Sequence, residues 1–258
     1  MHLISNAKIE LNNCKYVLFE GSKIKKLKNI YKNERCFIIG NGPSINQQNL
    51  TKLKDEFSFV TNWFVLYEKY AQINPKFYCV SDPNFFQNID PSWYSLMISK
   101  AKKTKKFFPY SARYSIQHTN LFHNQEVYYL NYCAGFSWIS GKTNIDLLKP
   151  LYCGDTIIID FCLPIAYYMG FKEIYLLGCD CNLGSNKETS QQSHFYENKY
   201  HKTKQSSNEY LRDQWLNNIL KSYEIINVEF EKNNRKIFNA GVGGNLELFE
   251  RVKLEELF

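Results

Sequence analysis

The sequence predicts an α/β fold on a doubly wound, mainly parallel sheet, and three observations predict it. Short unbroken apolar runs recur along the chain, as in strands buried on both faces. Each run stops in small polar residues: Cys36-Phe37-Ile38-Ile39 at Gly40-Asn41-Gly42, Phe57 to Thr61 at Asn62, and Phe77 to Val80 at Ser81-Asp82. From Gly154 to Asp180 the chain reads as helix, glycine, strand, glycine and acid, which is half of a doubly wound unit.

In chain order, residues 1–34 read as a polar N-terminal extension, with one or two short strands between Asn6 and Phe19. Ser22 to Lys32 carries Ile24, Leu27 and Ile30 at helical spacing. The main domain, 35–258, opens with the strand at Cys36. Asn46 to Lys54 reads as a short helix with Leu50 and Leu53 inward, and Trp63 to Tyr70 as an aromatic helix. Ser92 to Lys103 reads as a helix, with a strand following over Lys105 to Tyr110. Residues 111–153 show no clean period and are expected to be irregular structure over the sheet edge. Ile157 to Met169 is a buried helix, entered through Asp155 or Thr156 and closed by Gly170, with Pro164 costing it a bond or a kink. Ile174 to Leu177 is a strand. Residues 182–207, polar with few anchors, read as a lid. Asn208 to Asn233 is one long helix with Leu211, Trp215, Ile219, Tyr223 and Ile226 on its apolar side. Lys236 to Phe238 is the last strand, ending at Asn239, and a short surface helix begins at Leu254.

Bulk properties narrow the function. A net charge of +7, concentrated in Lys23 to Lys32 and Lys100 to Lys106, fits a solvated lysine-rich surface, or attraction to an anionic membrane face or acidic glycan. A nucleic-acid partner is not expected, since no known binding module is present. Of the 8 Cys, several lie inside apolar runs, and Cys179-Asp180-Cys181 lacks zinc-ligand spacing. Reduced thiols of a bacterial-type cytoplasm are expected, with the inner membrane face as a second location. No run of about 18 apolar residues is available to span a membrane.

Candidate chemistry collects where parallel strands end, because all their carboxyl ends share one rim. Gly40, Asn41, Gly42, Pro43 and Ser44 read as a nucleotide-phosphate loop, the glycines bringing backbone close to a ligand. Asn62, Asp82, Gly178, Asp180 and Asn239 join the same rim. Asp180 reads as an acceptor for a ribose or base, or as a structural acid at a helix N-terminus. In the lid, His194 and His201 are candidate bases, and Tyr196 and Tyr200 candidate donors to a departing phosphate. No metal constellation is visible and no cofactor is expected.

Gly40-Asn41-Gly42-Pro43-Ser44, the strand end at Asn62, and the segment Gly170 to Asp180 resemble the bacterial sialyltransferases of glycosyltransferase family 42. They also resemble a related group described as hydroxymethylpterin diphosphokinase-like, which includes motility accessory factors; the helix entry Cys153-Gly154-Asp155 is closer to that group. The resemblance implies a single Rossmann-like, GT-A-variant domain with a lid. It implies a CMP-activated nonulosonic sugar, used without a metal, with Asn41, Gly42, Asn62, Asp82 and Thr156 on the nucleotide. It also implies a lid imidazole as base, His194 or His201. The expected activity is inverting transfer of a sialic-type sugar to a glycan or glycolipid acceptor in surface polysaccharide or lipooligosaccharide synthesis. The alternatives are a magnesium-dependent pterin diphosphokinase and a non-catalytic nucleotide-sugar-binding protein. Homo-oligomer formation and peripheral membrane contact stay open.

Overall fold

A strand buried on both faces needs partners on both edges and a layer on each side, and β1, Arg35–Ile39, has them. In the computed structural model, which describes residues 2–86, 91–119, 122–137, 144–182, 194–196 and 209–258, β1 lies parallel to β2 (Ser58–Thr61) and β8 (Glu173–Leu177). Beyond β2 follow β3 (Phe77–Cys79), β4 (Lys105–Pro109) and β5 (Val127–Leu130). Beyond β8 follow β9 (Lys236–Asn239) and β10 (Glu250–Arg251). The order is β10-β9-β8-β1-β2-β3-β4-β5, with every neighbouring pair parallel. Two further strands, β6 (Tyr132–Ser137) and β7 (Leu151–Cys153), form a separate parallel ladder. The expected α/β Rossmann-like class is the observed one, and its order reverses at β1.

Alternate residues of β1 serve two different layers, as strand geometry requires. Cys36 and Ile38 pack among residues of α1 (His2–Lys25), α5 (Leu163–Met169) and α6 (Glu209–Glu231). Phe37 and Ile39 pack on the other face with α2 (Tyr70–Ile73), α3 (Pro91–Lys100), α4 (Arg113–His118) and the 3-10 turns Pro43–Gln47, Leu50–Leu53 and Asn62–Leu66. Leu50 and Leu53 point inward as expected.

Three expectations change. Residues 6–19 form no strand: they lie in α1, and the helix is part of the core, with Tyr16 and Ile24 fully buried. The Tyr16 hydroxyl donates to the Leu147 carbonyl at 2.7 Å. Asn13 accepts from Asn131 just past the end of β5, and Lys23 Nζ reaches the Val127 carbonyl at its start. Ten helical residues rise about 15 Å, against about 13 Å for the strand, so α1 runs antiparallel along β5. Ile30, expected on the same stripe, is exposed because α1 ends at Lys25. Second, the 111–153 region holds β5, a strand of the main sheet, as well as α4, β6 and β7. Third, Lys106 is not solvated surface: it is fully buried and donates to the Ala101 and Thr104 carbonyls, and burial pulls its ammonium down to about 8.

The helix over 157–169 forms, but in two parts. A π turn, Ile158–Cys162, runs without a break into α5, and Pro164 stands at the second residue of α5, at the π-to-α junction. Gly170 closes α5 at φ +96°. On α6, Ile219, Tyr223, Ile226 and Phe230 are buried, whereas Leu211 and Trp215 are exposed. The 3-10 turn Leu254–Leu257 stands where a short helix was expected. All eight cysteines are free thiols. Among the described residues no helix is long and apolar enough to cross a membrane.

If α1 is core, its tyrosine sets stability. Tyr16→Phe loses one buried hydrogen bond, about 1 kcal/mol, and Tyr16→Ala about 3–5 kcal/mol, read from urea unfolding. Two wild-type-like curves would mean that α1 is dispensable.

Candidate functional site

The site must be sought where β1 meets its neighbours at the carboxyl edge, and the two sides of β1 differ. On the β8 side the crevice is filled by the protein. The Gly40 N–H donates to the Leu177 carbonyl at 2.8 Å and the Gly42 N–H to the Gly178 carbonyl at 2.9 Å. The Ser44 N–H donates to Asp180 Oδ2 at 3.0 Å, and its hydroxyl to Oδ1. A Cβ on Gly40 would stand 2.5 Å from the Gly178 carbonyl oxygen, and one on Gly42 2.5 Å from the Asp180 carboxylate. These glycines therefore admit the β8 loop. Of the residues expected in a phosphate loop, Gly40 and Gly42 donate their N–H groups to carbonyls of the β8 end, and the Ser44 N–H and hydroxyl are met by the Asp180 carboxylate. Of the two readings of Asp180, the structure has the structural acid. The Asp180 carbonyl also accepts from Asn245 at 2.8 Å, fixing the loop after β9.

Gly178, expected at the nucleotide, instead takes part in that fit: its φ is +60°, and a Cβ there would overlap Ile45 Cγ2. Asn239 is likewise engaged internally: Nδ2 donates to the Leu246 carbonyl at 2.7 Å, and Oδ1 accepts from the Gly241 N–H at 2.9 Å.

The β2 side is different. Asn41 Nδ2 reaches across to the Thr61 carbonyl at 3.3 Å, at the very end of β2. Its Oδ1 is buried and has no hydrogen-bond partner among the described residues, and the same holds for Thr61 Oγ1. Asn62 turns the chain out of β2 in the left-handed region, φ +44°, and its carbonyl accepts from the Tyr78 hydroxyl. Over these ends lies the 194–196 segment. The Phe195 N–H donates to the Asn41 carbonyl at 2.9 Å, and Phe195 packs edge-on to Phe64 and Tyr67. His194 stacks on Tyr196 at 5.1 Å, and Tyr196 leans on Trp63 at 6.4 Å. Burial raises the Tyr196 pKa, so its hydroxyl keeps its proton at neutral pH.

Asn41, Asn62, His194 and Tyr196 thus belong to one locality. Asp82 is exposed past the end of β3. Asn239, on β9, is four strand spacings from β3, about 19 Å, too far for one base or ribose to touch both. His201 and Tyr200 lie outside the described residues.

Thr156 starts the π turn, its Oγ1 accepting from the Ile159 N–H at 3.4 Å. Beside it is a group that the sequence pattern did not single out. Asp160, inside the apolar stretch, accepts from the Gly154 N–H at 2.6 Å and the Tyr132 hydroxyl at 2.8 Å, pinning the turn in which Asp155 sits at φ +68°. Burial raises its carboxyl to about 7, against those two hydrogen bonds. A lone acid in an apolar run was the available signal. Thr61 gave none, since it reads as an ordinary strand residue.

The family model described as "6-hydroxymethylpterin diphosphokinase MptE-like" matches residues 8–186. No curated protein matches the chain. Among solved structures, the sialyltransferase CstII from Campylobacter jejuni, in complex with the substrate analogue CMP-3FNeuAc, is 15% identical over 85% of this chain and 86% of that one, at a TM-score of 0.49. A Phe-to-Tyr mutant of the alpha-2,3/8-sialyltransferase CstII is 16% identical over 85% and 86%, at 0.47. A Tyr-to-Phe variant in complex with CMP is 16% identical over 84% and 85%, at 0.49.

Two predictions follow from this geometry. Gly243 has φ +68° with nothing within 4 Å of an added Cβ, so Gly243→Ala costs only the left-handed strain, about 1–2 kcal/mol. Gly178→Ala adds overpacking against Ile45, about 2–5 kcal/mol in all; equal costs in chemical denaturation would refute the packed crevice. For Asp160 the folded pKa lies above the unfolded value of 3.8. Its contribution is therefore complete below about pH 4 and is lost as pH rises through about 7. Relative to Asp160→Asn, the wild type should be less stable at pH 8 than at pH 5; a pH-independent difference would contradict it.

Proposed function

We propose that this chain, which belongs to the 6-hydroxymethylpterin diphosphokinase MptE-like family, binds the nucleotide of an activated sugar between the ends of β1 and β2 and transfers the sugar to a glycan. The observation that carries the reading is Asn41. Its Nδ2 is fixed on Thr61 while its Oδ1 is buried without a partner among the described residues. A buried acceptor left unmatched costs about 1–3 kcal/mol, and a nucleoside amino or hydroxyl group would remove that cost. Thr61 Oγ1 offers a second such contact beside it.

The donor is a CMP-activated, sialic-type sugar, as the glycine-loop and Gly170–Asp180 resemblance implies. In the reaction, His194 takes the proton of an acceptor hydroxyl as neutral imidazole. The acceptor oxygen bonds to the anomeric carbon from the face opposite the phosphate, so configuration inverts. The carbon–oxygen bond to phosphate breaks, and CMP leaves with that electron pair. Tyr196, held protonated by burial, donates a hydrogen bond to the leaving phosphate. His201 stands as the alternative base.

The family description favours a second reading, transfer of diphosphate from ATP to a pterin alcohol, which calls for magnesium. The carboxylates at the strand ends fit a magnesium site poorly. Asp180 has both oxygens on Ser44, and Asp82 lies two strands from β1. No step is therefore assigned through the ion.

Thermal shift and calorimetry separate the two. CMP binding that persists in EDTA is expected, with Asn41→Ala weakening it about tenfold. His194→Ala should lower turnover about 100-fold or more while leaving CMP affinity within about twofold. A response confined to ATP with magnesium would reject the sugar-transfer reading in favour of the kinase.

A further inference from the structure

One face of α1 is exposed and has no partner among the described residues. At 100° per residue, Cys14, Lys25, Leu18, Leu11, Ser22, Lys15 and Phe19 fill an arc of about 140°, and all of them are exposed. The apolar members stand well clear of the surface: Leu18 is 78% exposed, Phe19 60% and Leu11 58%. Tyr114 of α4 extends the patch at 69% exposure, joined through Arg113, whose guanidinium lies 5.4 Å from the Phe19 ring. Large apolar side chains rarely gather in the open without a binding role.

The charge around this patch indicates what covers it. Lys25 borders the apolar residues, Lys15 stands between Leu11 and Phe19, and Lys26 and Lys28 follow in the exposed turn. α1 contains two carboxylates. Glu20 is buried and paired with Arg113 at 2.9 Å, which leaves Glu10 on the flank. A second copy would bring two lysine-bordered faces together in a chain of net charge +7, an arrangement like charges oppose. An anionic lipid surface satisfies both features, since its headgroups take the lysines and its acyl boundary takes the leucines and the ring.

We infer that the outward face of α1, with Tyr114 beside it, is a docking surface for an anionic membrane. The helix runs antiparallel along β5, so Leu11 lies at the level of the rim that carries Asn41 and His194. Membrane docking would hold that rim near lipid-borne acceptors. The docking surface does not depend on sugar transfer and is tested apart from it.

The test is co-sedimentation with vesicles of phosphatidylcholine plus phosphatidylglycerol, against phosphatidylcholine alone. Binding to the anionic vesicles only, falling as salt rises, is expected. Leu18→Asp with Phe19→Asp should abolish it without lowering the melting temperature, because both side chains are outside the core. Lys15→Gln with Lys25→Gln should weaken it about 25-fold, about fivefold per lysine. CMP binding serves as a separate readout of the rim. The inference is overturned if the wild type stays in the supernatant at low salt, or if the doubly aspartate-substituted protein, still folded, sediments as before. A concentration-dependent dimer that the same substitutions dissolve would also overturn it.

Discussion

The contact between Asp180 and Ser44 decides how the rest of the rim can be used. A buried carboxylate is tolerated only when its oxygens are met by donors, and here the Ser44 N–H and hydroxyl meet them. Because Gly40, Gly42 and Gly178 lack side chains, the ends of β1 and β8 approach closely enough for that contact to form. In open α/β sheets the crevice at the reversal of strand order is the usual ligand site. In this protein its β8 half is occupied by the Asp180 carboxylate and backbone, which is why the proposed site is placed at the β1–β2 half.

The same distinction sorts the other polar residues of the rim. Asn239 has both ends of its amide bound internally, and Asp160 is held by Gly154 and Tyr132. Such groups hold loops. Asn41 and Thr61 each have a buried side-chain oxygen without a partner among the described residues. Unmatched buried oxygens are uncommon in folded proteins, and two of them lie at adjoining strand ends under a segment carrying an imidazole and a phenol, which is what the proposed function rests on.

The N-terminal helix links the core to the surface. Its inner face buries Tyr16 and Ile24 against the sheet, while Lys23 caps a carbonyl of the terminal strand β5. An edge strand with unpaired carbonyls invites pairing with another chain, and this lysine and helix cover it. The helix presents its remaining apolar residues outward, so one element closes the sheet edge and exposes an amphipathic face.

The parallel sheet, the helical stretch ending at Gly170 and the rim of polar strand ends were legible in the sequence. All are local signals: unbroken apolar runs, glycines at fixed offsets, small polar residues where strands stop. The inward side of α1 was not legible, because Asn12, Asn13 and Gly21 interrupt its pattern and its burial depends on distant partners such as Leu147. Nor was β5, whose aromatic run carries no alternation when both faces are covered. For the site, the sequence by itself determined which polar residues reach the carboxyl edge. Only the tertiary structure decided which of them are consumed, since a hydrogen bond between Ser44 and Asp180, 136 positions apart, leaves no trace in spacing or composition.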